Sequence, residues 1–238
     1  TDGGSSAIGL VNNQNSTGQA AIYFSKSRGT SVGSNTILQN NDPMGSLVFC
    51  GADGNDMISI GAQIKAEVDE APGSNDMPGR LVFATTADGA ATPTDRMVIN
   101  KDGVVTKPNT PMFKVNYGGG AVTIAAGDVV FGTVMNNVGG YYNSSNGRFT
   151  APVTGVYLFY VGWYVQSHSN HRMALRINGS EQTKPYISGY STTNASGTVN
   201  PSASQFLLLS KDDYVTVWSD TAFTPYGVHF GFGGVLLG

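Results

Sequence analysis

Three histidines, His168, His171 and His229, are the only imidazoles in the chain, and the first two stand close enough to share a ligand. A structural zinc site takes four protein ligands and a catalytic one three plus water. No cysteine or acid stands beside His168 and His171, so only threefold symmetry, turning one histidine into three, would supply enough ligands. The pair reads as a solvated loop, and His229, at the start of an apolar stretch, as a core or interface residue. Two acid pairs, Glu67 with Asp69 and Asp212 with Asp213, raise glycoside hydrolysis, which needs two carboxyl groups at a set separation across a cleft. Neither pair has a cleft signature around it, and both read as turn caps or solvent-facing groups. Serines are plentiful, but no Gly-x-Ser-x-Gly elbow occurs. Cys50 is alone, which rules out an intrachain disulfide and suggests a small buried hydrophobe. Asn-x-Ser/Thr sequons at Asn15, Asn143, Asn178 and Asn194 matter only in a eukaryotic secreted protein. No catalysis, cofactor or metal is expected.

Composition points the same way. Only 12% of the 238 residues are charged, while 40% are hydrophobic and 32 are glycine. A neutral, turn-rich surface over an ordinary apolar content suits β structure. The net charge is -3, and the 13 basic residues are scattered, with Lys26 and Arg28 the densest set. Binding a phosphate backbone needs clustered cations, so nucleic acid is not an expected partner. The longest apolar run, Val156 to Val165, is broken by Gly162 and too short to span a bilayer as a helix. Membrane insertion is therefore not expected either. Thr1 is preceded by no initiator Met or signal peptide, as expected of a processed chain or a fragment.

The elements that carry these residues alternate with a period of two. Asp53-Gly54, Asp88-Gly89, Asp102-Gly103, Asn146-Gly147 and Asn178-Gly179 mark tight hairpins. Strands are expected at Ala21 to Phe24, Ser46 to Cys50, Met57 to Ile60, Arg80 to Thr85 and Arg96 to Asn100. Further on they are expected at Met112 to Tyr117, Val129 to Val134, Arg148 to Thr150, Val156 to Gln166 and Met173 to Ile177. Ser204 to Leu209, Tyr214 to Ser219 and Val228 to Leu237 complete the set. Gln63 to Asp69 suits a helix or a strand equally. Both Trp and nearly all Tyr fall in the second half, and Thr106-Lys107-Pro108-Asn109-Thr110-Pro111 makes a linker. Two domains are expected, 1–107 and 108–238. Leu207, Leu208 and Leu209 are consecutive and cannot all point into one core. One face would serve the sandwich and the other a subunit interface or buried layer.

Phe131, Asn137, Tyr142, Phe149 and Gly155 follow at spacings of six, five, seven and six, and Tyr157 and Phe159 come next. With the blocks Asn136–Tyr142 and Gly147–Tyr157 and the ending Phe230–Leu237, this pattern resembles the globular head of the complement C1q/tumour-necrosis-factor family. Val161 departs from it, standing where the family favours an aromatic. The resemblance implies a ten-stranded jelly roll that trimerises through a flat aromatic and aliphatic face. It also implies that both chain ends lie at the base. The connections Asp220 to Gly227 and Gly179 to Pro201 would then lie at the apex, and Ser167 to Asn170 at the base. Tyr186, Tyr190, Phe223 and Tyr226 on the apical connections are the expected contact residues for a partner. Some family heads bind calcium at the apex, but Asp220 is the only acid there and no site is expected.

Residues 45–105 resemble a segment of bacteriophage tail and capsid fibres, carried by Gly45–Phe49, Ile64–Asp69, Met77–Gly89 and Asp95–Gly103. That resemblance implies a β-hairpin shaft intertwined among three chains. Together the two imply an all-β homotrimeric virion appendage, held by other virion proteins at its N-terminal side. Its C-terminal head would meet a host surface glycan or outer-membrane protein. The competing readings are a secreted C1q-like binding protein outside any virus, a polysaccharide-degrading tailspike with acids gathered between chains, and a purely structural decoration.

Overall fold

The computed structural model describes residues 7–120, 122–164, 172–181, 202–225 and 227–238. Among them are sixteen β-strands, one 3-10 turn and no α-helix. No helix is long and apolar enough to cross a membrane. The chain divides into two compact units, the first ending at Pro108 and the second beginning at Asn109.

The first unit is an antiparallel meander of β1 (Pro43–Gly51), β2 (Ser59–Val68), β3 (Gly79–Thr85), β4 (Thr94–Ile99) and β5 (Val105–Thr106), paired in chain order. The ambiguous Gln63 to Asp69 stretch falls largely in β2, which is hydrogen-bonded on both sides, to β1 and β3. Ala21 to Phe24 forms no strand. No neighbour offers it a ladder, and Phe24 lies instead over Gly45, where an added Cβ would come 2.4 Å from the Phe24 Cβ. Cys50 is exposed rather than buried. It stands near the end of the edge strand β1, and a single sheet supplies no second layer to cover it.

Ion pairs join the strands of this unit beside a small apolar core. Its buried hydrophobics among the described residues are Leu38, Val68, Val82 and Ala84. Arg80 on β3 faces Glu67 on β2 and donates to it from Nε at 2.8 Å and Nη2 at 2.6 Å. Its Nη1 reaches Asp69 at 3.2 Å, and Lys65 pairs with Glu67 at 2.8 Å. Burial pushes the Glu67 carboxyl up, but the hydrogen bonds from Lys65 and Arg80 outweigh it and hold the group below its usual range. The acids expected to cap turns or face water are thus members of a half-buried ionic belt, a geometry in which the bidentate guanidinium is the strong partner.

The second unit is a two-sheet jelly-roll sandwich. Its strands are β6 (Met112–Asn116), β7 (Gly127–Val129), β8 (Thr133–Val138), β9 (Tyr142–Asn143), β10 (Arg148–Thr150) and β11 (Gly155–Gly162). They continue with β12 (Met173–Ile177), β13 (Ser180–Glu181), β14 (Ser202–Leu209), β15 (Tyr214–Ser219) and, after a 3-10 turn at Gly227–His229, β16 (Gly231–Leu236). One sheet runs β14-β11-β16-β6-β8 and the other β13-β12-β15-β10-β9, with β7 also on β15. Eleven strands are described, two of them only two residues long. The expected single strand at Val129 to Val134 is two strands in different sheets, because the chain changes layers between Val130 and Gly132. Phe131 sits in that crossing, fully buried.

Strand parity builds the core. Along β11 the residues Tyr157, Phe159 and Val161 are buried, while Val156 and Tyr160 between them are exposed. Phe113 of one sheet stacks on Tyr142 at 5.1 Å and on Phe149 at 4.9 Å, both from the other sheet. Phe232 meets the same ring edge-on at 4.9 Å. Aromatic rings this dense leave room only for glycine at Gly234, where a Cβ would lie 2.6 Å from the Phe159 ring and 3.0 Å from that of Phe113. Gly234→Ala should therefore destabilise the protein by roughly 1–3 kcal/mol through overpacking, measured as a shift in the urea midpoint. Gly51→Ala, where a Cβ meets nothing within 4 Å, should leave the midpoint almost unchanged.

Candidate recognition and assembly surfaces

Seven spaced residues singled out in the sequence fall into one structural unit. Asn137 at the end of β8 donates from Nδ2 to the Tyr142 carbonyl at 2.8 Å and accepts the Tyr142 N–H at 3.0 Å. The Tyr142 hydroxyl then donates to the Phe131 carbonyl at 3.1 Å and accepts the Phe131 N–H at 3.2 Å. Asn137 thus replaces a missing ladder partner at the turn, and Tyr142 satisfies the backbone of the layer crossing. Phe149, Tyr157 and Phe159 fill the core between the sheets. At Gly155 a Cβ would meet Leu236 at 2.9 Å and the Gly238 carbonyl at 3.0 Å, so only glycine lets the last strand close there. Val161, the one departure from the resemblance, is buried and takes an aliphatic place in the same core.

The outer face of the β14-β11-β16-β6-β8 sheet is apolar. The register places Phe206, Leu158, Val235, Met112 and Val138 side by side across five strands. The three leucines divide as parity requires: Leu207 and Leu209 are buried, and Leu208 between them is 73% exposed, beside Phe206 at 66%. A groove of about 220 Å³ crosses this face, lined by Met112, Lys114, Leu158, Tyr160 and Val235 among others. Next to it, His229 is exposed on the C-terminal unit, its ring 5.5 Å from that of Tyr164, and is not a core residue.

Of the four aromatics expected to contact a partner, Tyr186, Tyr190 and Tyr226 lie outside the described residues, as do His168 and His171. Phe223 is buried rather than presented at the surface. It is only 4% exposed and packs edge-on against Phe230 at 5.5 Å. Its backbone pairs with Ile124, and Thr224 meets Thr123 at 2.9 Å, so this connection is clamped onto the 117–124 loop. Burying the ring there contributes more than exposing it would.

Residues 113–237 match the C1q domain. The chain belongs to the C1q domain family. Among solved structures, it is similar to the globular domain of zebrafish complement 1qA protein, with 18% identity over 54% of this chain and 98% of that one, at a TM-score of 0.44. The Eiger TNF of S. frugiperda is similar at 18% identity over 55% of this chain and 94% of that one, TM-score 0.39. The carboxy-terminal domain of the bacteriophage T5 L-shaped tail fibre is similar at 16% identity, over 43% of this chain and 38% of that one, TM-score 0.38. No curated protein matches the chain.

The other outer face of this C1q domain is polar. Register pairs Arg176 on β12 with Thr216 on β15, which is buried, and Arg148 on β10 directly precedes Phe149, the partner of Val215. The Arg176 guanidinium lies 4.1 Å from the Trp218 ring centre and that of Arg148 lies 4.0 Å from Tyr214. Sequence reading missed this cluster because its members sit on three strands far apart in the chain. Only the alternation Tyr214, Thr216, Trp218 against Val215 and Val217 hints at it.

The clamp at Tyr142 has a measurable consequence. Burial pushes its phenol up to about 12, against the opposing hydrogen bond donated by the Phe131 N–H. A phenol in the unfolded chain ionises near pH 10, so folded-state stability is complete below that value. It should fall as pH rises from about 10 to about 12, by on the order of 2–3 kcal/mol. Tyr142→Phe should remove that alkaline component and cost roughly 1–3 kcal/mol at neutral pH, because the Phe131 N–H and carbonyl lose their buried partner. Urea titrations of both proteins at pH 7 and pH 11 check it; an unchanged alkaline loss in the variant would assign the effect elsewhere.

Proposed function

We propose that this chain is a homotrimeric virion fibre or spike protein of a bacteriophage. Its C-terminal C1q domain meets the host surface, and its N-terminal unit forms a β shaft intertwined among three copies and attached to the virion. The supporting observation is unburied apolar surface in both units. The first unit holds few buried hydrophobics yet exposes Phe49, Ile58, Tyr23 and Val32. A stretch of chain with so thin a core gains stability by threading with copies of itself. In the C1q domain the row Phe206, Leu158, Val235 and Met112 is the face that a threefold partner covers. Contiguous apolar surface of this kind marks an interaction site rather than a solvent boundary.

The role is binding, not catalysis. Three of the four acids that raise a tailspike reading are tied up: Glu67 and Asp69 by Arg80, and Asp213 by Asn178 at 2.7 Å and the Ser210 N–H. Three heads on one shaft, and many shafts on one particle, turn a weak single contact into a firm attachment. The C1q match alone also suits a secreted binding protein outside any virus. What favours a fibre is the order of the units, with the 45–105 segment preceding the head.

Light scattering should give a mass near three times 24.9 kDa, and the band should resist detergent without heating. Phe206→Glu combined with Leu208→Glu, both exposed in the single chain, should weaken association of the heads by placing charge in an apolar contact. A parent protein that runs as a clean monomer would overturn the trimeric reading and with it the shaft.

A further inference from the structure

The five strands β14, β11, β16, β6 and β8 carry a single charged side chain, Lys114. Parity turns it outward, two positions after Met112, into the apolar face. Apolar side chains lie on both sides of it. Met112, Leu158 and Val235 line one groove with it, and Met135 and Val228 line a second, of about 290 Å³. Register sets Tyr160, Gly233, Lys114 and Asn136 in one row across four strands. Glycine at 233 lets that row close up, since a Cβ there would lie 2.3 Å from the Tyr160 ring. The ring therefore lies over the strand that separates it from Lys114.

This lysine has no counter-charge in its own domain. Neither its ammonium, the Tyr160 hydroxyl nor the Asn136 amide has a partner among the described residues. The acids of the domain are placed elsewhere. Asp128 stands against Arg176 and Asp220 against Arg172 on the other sheet, where Glu181 is also in register with Arg176. Asp212 and Asp213 occupy the turn after Leu209, while the row of Lys114 is level with Ser204, roughly 17 Å back along the strand. Residues 165–171 and 182–201 contain no Asp or Glu. His229, which lines the second groove with Lys114 and Tyr160, is a further imidazole and not an acid. A copy of the domain laid over this face thus covers its apolar positions and brings no acid to Lys114. Burying an isolated ammonium is costly unless it is paired. The row supplies donors for a small anion: an ammonium, a hydroxyl and an amide. Burial pushes the Tyr160 phenol up, which keeps it an O–H donor.

We propose that the apolar face of the C1q domain encloses a small oxyanion between neighbouring copies, held by the Lys114 ammonium with the Tyr160 hydroxyl and the Asn136 amide. The occupant is a free ion of the phosphate, sulfate or carboxylate kind, sealed in as the copies close. This rests on the reading of the chain as a homotrimer and adds a ligand to its interface. The ion neutralises the one charge that the contact strands, so it acts on association of the heads and not on their contact with a host.

The test is a phosphorus NMR titration of the full-length protein with inorganic phosphate after dialysis into chloride. Light scattering follows dilution of the same samples in phosphate and in chloride of equal ionic strength. Phosphate should bind at about one per chain and lower the concentration at which trimers come apart about tenfold, as a ligand of the assembled state does. Lys114→Met, which keeps the length of the side chain and removes its charge, should abolish both effects. Asn136→Asp puts a carboxylate beside Lys114 in register; it should displace the ion and hold the trimer in chloride as firmly as phosphate holds the parent. Lys211→Gln, which removes an exposed cation elsewhere, should bind phosphate like the parent. Thermal melts of each variant establish that the fold is retained. A trimer that takes up no phosphate, or a Lys114→Met variant that takes it up like its parent, overturns the proposal and leaves the trimer standing. A clean monomer overturns both.

Discussion

The C-terminal unit depends on one ring. Phe113 leaves the β6 strand of one sheet and lies flat on Tyr142 and Phe149 of the other, which are themselves cross-strand partners. The contact joins the two layers at a place where the chain also has to leave one layer for the other. Asn137, opposite Phe113 on β8, fastens the Tyr142 backbone, and the Tyr142 hydroxyl fastens that of Phe131 in the crossing. Packing and hydrogen bonding therefore share the same three or four residues. An unpaired amide in that crossing would cost free energy comparable to a whole hydrogen bond, so the ring stack and the polar clamp have to form together.

Given a core closed from within, the outward residues of each strand are free to differ, and they do. On the β11 sheet the outward positions are Leu158 and Tyr160, with Phe206 and Leu208 next to them. On the β15 sheet they are Tyr214, Thr216 and Trp218, roofed by arginines. The first face gains free energy by losing water, and the second lays guanidinium groups over aromatic rings, where the ring faces attract the charge. The first unit uses a third arrangement, in which Arg80, Glu67, Asp69 and Lys65 neutralise one another between adjacent strands.

How much of this was legible in the chain depends on whether the controlling contact is local. Parity is local, so the burial of Tyr157 and Phe159 and the division of Leu207, Leu208 and Leu209 could be read directly. So could the reversals at Gly54, Gly89, Gly103, Gly147 and Gly179, all of which have positive φ. The layer change at Val130 to Gly132 could not be read, since nothing in Val-Val-Phe-Gly-Thr-Val marks where one sheet ends and another begins. Phe223 looked like an exposed loop aromatic because its cover, the 117–124 loop, lies about a hundred positions earlier. Cys50 and Ala21 to Phe24 differ from expectation for a related reason: a strand needs a ladder partner and a buried site needs a covering layer, and neither is written in the local sequence. The stacks of Arg148 on Tyr214 and Arg176 on Trp218 join residues 66 and 42 positions apart, and no pattern within one strand reveals them.

The same parity explains why the two faces can specialise without disturbing one another. A substitution at Phe206 or Leu208 changes the apolar face while Leu207 and Leu209, one position away, continue to fill the core. A substitution at Thr216 or Trp218 likewise leaves Val215 and Val217 in place. Each strand thus carries one conservative and one adaptable set of side chains, and only a register slip, which would exchange them, couples the two. The glycines at 155 and 234 guard against that slip, because each stands where backbone or ring comes too close for any other residue. A domain held this way can change what its surfaces touch while its core remains the same.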